Sequence, residues 1–143
     1  MEVFWEHGYE GASLSELTAA MGINSPSLYA AFGCKEALFR EAVALYNATE
    51  GSVTSAALRD EPMARDAVEA MLRNNAYRYT ALGKPSGCMI VLAATTCTPA
   101  NSRVRAHLAE CRSDARDALR HRFERGVVEG DLPAEADTAA PHG

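Results

Sequence analysis

The stretch from Ser13 to Gly33 constrains the fold more than any other part of the chain, because it punctuates two short helices in quick succession. Ser13-Leu14-Ser15-Glu16 is an S-x-x-E capping box: Ser13 caps the amide of Glu16, and Glu16 reaches back. The helix it opens runs over Leu14–Met21, with Leu14, Leu17 and Met21 on one face. Gly22 stops it, since glycine accepts positive φ at little cost. Ile23-Asn24 makes the turn. Ser25-Pro26 reopens a helix, with Ser25 as cap and Pro26 at the first helical position, where a missing N–H costs nothing. This second helix, residues 26–32, lasts about two turns. Gly33 ends it, and Cys34-Lys35-Glu36 starts a longer helix through Ala37, Leu38, Ala42, Leu45 and Tyr46.

The remainder also reads as helix. Asp60-Glu61-Pro62 opens one, and Ala64, Val68, Met71, Leu72, Asn75 and Tyr79 give it a helical stripe. Residues 83–87, Gly-Lys-Pro-Ser-Gly, break it. Residues 88–95 form a short, nearly all-apolar helix, which implies burial on most sides. A long amphipathic helix follows over 103–129, with Val104, Leu108, Cys111, Ala115, Leu119, Phe123 and Val127 as its buried stripe and Gly130-Asp131-Leu132-Pro133 as its stop. No window alternates like a strand. Only 7% of the 143 residues are aromatic, and alanine, the best helix former, is abundant. The fold class expected is all-α.

Charge and motifs exclude several function classes. The net charge of −5 is not that of a polybasic nucleic-acid or membrane binder. The N-terminus lacks a basic n-region, and the longest apolar stretch, 88–94, is far short of a membrane span. Cys34, Cys88, Cys97 and Cys111 have no zinc-type spacing and read as reduced thiols, so a cytoplasmic protein is expected. His107 and Cys111 sit four apart, but two ligands make no metal site, and neither a metal nor another cofactor is expected. The histidines at 7, 107, 121 and 142 have no nucleophile or carboxylate at a motif spacing, and there is no G-x-G-x-x-G, P-loop or G-x-S-x-G. No catalytic residue is assigned.

Two short helices joined by a glycine-containing turn make a helix-turn-helix. The second helix is short enough to enter a DNA major groove about 12 Å wide. Its outward residues, Ser25, Ser27 and Ala30, are small or polar, whereas Leu28 and Phe32 point the other way as anchors. Tyr29 offers a hydroxyl at the rim and Lys35 a cation one turn on, both suited to phosphate oxygens. The same spacing also fits an αα-corner inside any helical protein.

The residues Phe4-Trp5-x-x-Gly8-Tyr9-x-Gly11-x-Ser13, then Leu17-x-x-x-Met21-Gly22-Ile23, then Leu28-Tyr29-x-x-Phe32-x-x-Lys35-x-x-Leu38 closely resemble the DNA-binding domain of the TetR/AcrR family. The resemblance spans about residues 3–46. It implies a helix-turn-helix domain over 1–46 and a helical ligand-binding and dimerisation domain over 47–143. It further implies a homodimeric, ligand-responsive regulator, usually a repressor, of a double-stranded DNA operator. By matching position, Ser15, Ser25, Pro26, Ser27, Tyr29 and Lys35 face the operator, the last two mainly as phosphate contacts. A small-molecule effector is expected among the later helices, where Tyr46, Met71, Asn75, Tyr79, Met89, Leu92 and Phe123 mix apolar bulk with two hydroxyls and an amide.

Three departures from the family pattern stand out. The first helix is about two turns long and lacks a basic arm, and the family usually has one or two helices beyond the end of this chain, so both ends read as short. Residues 1–50 carry two basic and seven acidic side chains, a balance of 2 − 7 = −5. Cys34 stands where a capping Ser, Asp or Asn is usual; as a thiol at a helix N-terminus beside Lys35, it is also a candidate redox position. Weak DNA binding follows from the first two, and the alternative they favour is a helical ligand-binding or dimerisation protein without effective DNA binding.

Overall fold

The structure is a computed structural model; it describes residues 1–136 and 138, so His142 lies outside the described residues. Among these residues the fold is all-α. Its helices are α1 (Glu2–Gly11), α2 (Leu14–Met21), α3 (Ser25–Phe32), α4 (Lys35–Ala48), α5 (Ser52–Asp60), α6 (Ala64–Tyr79), α7 (Met89–Thr96) and α8 (Ser102–Glu129), with a 3₁₀ turn at Pro99–Asn101. No helix among them is long and apolar enough to cross a membrane.

The stop signals act as the sequence suggested, with one correction. Ser13 and Glu16 exchange the two capping-box bonds, Ser13 N to Glu16 Oε2 at 2.8 Å and Glu16 N to Ser13 Oγ at 3.2 Å. Gly22 closes α2 in the left-handed region at φ 65°. The cap of α3 is Asn24 rather than Ser25: its Oδ1 accepts from Ser27 N at 2.9 Å. The helix therefore starts one residue earlier, and Pro26 still falls among the first-turn positions whose N–H has no intrahelical partner. Cys34 caps α4, its Sγ accepting from Ala37 N at 3.5 Å.

One helix was not legible. Residues 52–60 form α5, although Ser52, Val53, Thr54 and Ser55 are poor helix formers and Gly51 offers no side-chain cap. Tertiary packing supplies what propensity lacks: Ala57 and Leu58 are buried, and α5 lies along α6.

The stripe on α8 also needs correcting. Val104 and Leu108 are buried as expected, but Ala115 is exposed, Phe123 and Val127 are only half-buried, and the buried residues of the last turns are Arg122 and Gly126. Each four-residue step advances about 400°, so four such steps from 111 to 127 drift roughly 160° off any one face. Arg122, 2% exposed, closes the far end of the molecule. Its Nη2 donates to Pro62 O at 2.9 Å and meets Asp131 Oδ2 at 3.4 Å, while Asp131 accepts from Ala64 N at the start of α6.

One apolar core joins the first four helices to α7 and α8. It contains Phe4, Trp5, Leu17, Leu28, Phe39 and Tyr46 from the N-terminal part and Met89, Ile90, Val104 and Leu108 from the C-terminal part. Phe4 and Phe39 meet edge-on at 5.1 Å, and Tyr9 packs on Phe39 at 5.2 Å. α1 kinks at Gly8 (φ 71°, ψ −177°), which lets its last turn lie against α7; a Cβ there would stand 2.6 Å from Thr96 Oγ1.

Candidate nucleic-acid interface

α3 stands on the core by Leu28, which is fully buried, with Phe32 half-buried beneath it. Around this anchor Ser25, Pro26, Ser27, Ala30 and Ala31 are exposed, and Tyr29 is 45% exposed. Ser15 on α2 is exposed as well. The Asn24 cap leaves the Ser25 hydroxyl free of any capping duty. Asn24 itself is exposed at the N-terminus of α3; the available signal for its capping role was that Asn ranks with Ser as a cap.

Lys35 is the sole cation near this surface in sequence, and it is half-buried. Its Nζ lies 5.0 Å from the centre of the Tyr9 ring, a cation–π arrangement. Burial lowers the Lys35 ammonium from its ordinary value, and the Glu10 and Glu16 carboxylates oppose that shift. The side chain is thus held in place rather than free to sweep the solvent.

The acidic balance of the N-terminal part has a structural account. α3 carries no charged residue at all. Three of the seven acids are instead engaged with later elements. Glu10 Oε1 accepts from Thr98 N at 2.6 Å, Thr98 Oγ1 at 2.7 Å and Asn101 Nδ2 at 2.7 Å. Glu36 pairs with Arg40 and Arg103, and Glu50 with Arg78 and Lys84. These carboxylates join the two parts of the molecule.

The residues expected around an effector differ in burial. Met89 is fully buried and Leu92 is 41% exposed on the same short helix; α7 is so uniformly apolar that its sequence could not distinguish inner from outer face. Tyr46 is buried, and Met71, Asn75, Tyr79 and Phe123 are half-buried. Tyr46 and Tyr79 converge on the Cys88 thiol. Burial and Cys88 push Tyr79 up to about 12, and burial with the Cys88 hydrogen bond raises Tyr46 too. Asn75 Oδ1 accepts from Thr54 Oγ1 at 2.8 Å. Cys97 is buried, while Cys88 and Cys111 are half-buried. His107 is half-buried as well.

Residues 1–42 match the family model described as bacterial regulatory proteins, tetR family. CifR, a TetR family transcriptional regulator solved with cysteine substitutions in complex with 26-bp operator DNA, is 47% identical in sequence. It superposes with a TM-score of 0.91, the match covering 96% of this chain and 72% of that one. The chain belongs to the TetR family. The HTH-type transcriptional repressor BdcR of Escherichia coli K12 is 37% identical over 89 residues, 62% of this chain and 45% of BdcR. ComR, an HTH-type transcriptional repressor of the same organism, is 29% identical over 138 residues, 96% of this chain and 66% of ComR. As a TetR family member the chain spans about half to two thirds of the length of these curated relatives.

Proposed function

We propose that this TetR family chain is a ligand-responsive DNA-binding transcriptional regulator, a repressor, acting as a cytoplasmic homodimer and without a catalytic role. α3 is its reading helix. Ser25, Pro26 and Ser27 meet base edges or the groove wall, and Ser15, Tyr29 and Lys35 meet the backbone. The observation that carries this reading is the surface of α3: a helix fixed by one buried leucine, with small and hydroxyl side chains outward and no charge to clash with phosphate. The relatives solved on operator DNA or described as repressors support the same assignment.

The rival reading, a helical ligand-binding or dimerisation protein without effective DNA binding, drew on the acidic N-terminal part. Three of those acids are engaged elsewhere, which removes much of its force. An unidentified small-molecule effector acts through the second part. Shifting the connections on either side of α7 moves α1 and the α4–α5 turn, to which they are bonded through Thr98–Glu10, Gly87–Trp5 and Lys84–Glu50.

Enrichment of a randomised duplex library on the protein tests this directly. It should return two inverted half-sites spaced about one helical turn, ~34 Å, apart. An unenriched pool would refute it.

A further inference from the structure

We propose that the cleft between the α4–α5 turn and α8 binds a small primary ammonium ion with a short apolar body. This rests on the ligand-responsive reading above and names its ligand class. The cleft has a volume of 230 Å³, room for a molecule of a few carbons to a single ring, and α4, α5 and α8 all contribute walls. Buried Leu58 gives it an apolar floor, and exposed Ala118 an apolar rim.

The argument for a cation is an inventory of hydrogen-bond capacity. The Thr54 hydroxyl spends its proton on Asn75 Oδ1 at 2.8 Å, and the Ser55 hydroxyl spends its own on Ser52 O at 3.0 Å. Both oxygens keep lone pairs and have no proton left to give. Asn47 also lines the cleft, and its amide oxygen is a further acceptor. Asp114 is an exposed carboxylate, an acceptor only, with no ion-pair partner among the described residues. No Lys or Arg lines the cleft. Burial first, and then the Asp114 and Glu110 carboxylates, push the Cys111 thiol up. A ligand that satisfies this set must bring donors and positive charge, and an ammonium brings three N–H groups.

Occupancy has a route to the rest of the molecule. Asn47 lies in the last turn of α4, and Thr54 holds Asn75 of α6. A ligand clasped between Asn47 and Asp114 ties α4 to α8.

Calorimetric titration of the 143-residue chain with benzylammonium, benzyl alcohol and benzoate near pH 7 is the test; it involves no DNA, so its failure leaves the operator reading standing. Benzylammonium should bind saturably and the neutral and anionic isosteres at least about tenfold more weakly. D114N should lose about tenfold or more in benzylammonium affinity with an unchanged circular dichroism spectrum. Ala118→Phe, which fills the cleft, should abolish binding, and E69Q, at an exposed α6 position that lines no part of the cleft, should leave it intact. Equal binding of benzyl alcohol, an undiminished D114N affinity, or no binding of benzylammonium would each overturn the proposal.

Discussion

Tyr29 and Lys35 separate two kinds of contact on one small surface. Tyr29 is nearly half-exposed at the rim of α3, and Lys35 is steadied over the Tyr9 ring. In the proposed role of phosphate contacts they would carry no sequence information. Tyr29→Ala and Lys35→Ala should therefore weaken binding to every duplex alike, and Lys35→Ala should lower the salt slope by about one per subunit. Anisotropy titrations at several salt concentrations would check this; a loss confined to the preferred sequence would reassign them as base readers. At Cys34 the weak sulfur acceptor lies 3.5 Å from Ala37 N. Cys34→Ser keeps the cap and strengthens it, so thermal melts should show a gain of up to about 1 kcal/mol. At this scale the sequence revealed which residues cap and anchor, but not which of two adjacent caps wins. Asn24 and Ser25 are nearly equivalent by preference, and only the register of α3 on Leu28 decides between them.

The helices themselves were legible wherever glycine or a capping box marks their ends, as for α2 and α3. Legibility failed for α5, whose residues 52–55 resist helix by themselves and form it only against α6. It failed in part on α8, where a stripe written in four-residue steps wandered off the buried face and concealed Arg122. The inner face of α7 was hidden for the opposite reason, an excess of apolar side chains with no direction in them. The kink in α1 gives this scale its own prediction. Gly8 combines positive φ with a close approach to Thr96, so Gly8→Ala meets both backbone strain and a steric clash. Chemical denaturation should show a loss of more than about 1 kcal/mol. Operator affinity should fall with it, because α1 carries Phe4 and Trp5 into the core beneath the reading helix. A neutral substitution would mean that α1 is not clamped to α7.

Across the whole molecule, the two parts are held by one apolar core and by carboxylates that reach from the first to the second. Hydrogen bonds from Thr98 and Asn101 hold Glu10 below the ordinary glutamate value of 4.5, and the Lys84 ammonium with Arg78 does the same for Glu50. A carboxylate depressed in the folded state contributes stability above its unfolded value, and that contribution fades as pH falls through the folded value. Melting temperatures should therefore hold between about pH 7 and 5 and drop below about pH 4.5. E10Q and E50Q should be less stable at neutral pH and show a shallower acid decline; an unchanged decline would show that these links contribute nothing. The same carboxylates limit what net charge can say. Charge counted along the sequence ignores partners, and Glu10, Glu36 and Glu50 are each bonded to residues of the second part.

The central claim is that α3 reads sequence. Its most direct test is the ratio of affinities of the 143-residue chain for a library-selected duplex and for the same duplex scrambled, measured by fluorescence anisotropy at fixed salt. The ratio is independent of how tightly the chain binds overall. The account predicts a preference of about 10³-fold or more for the selected duplex. Equal affinity for the two duplexes would contradict it.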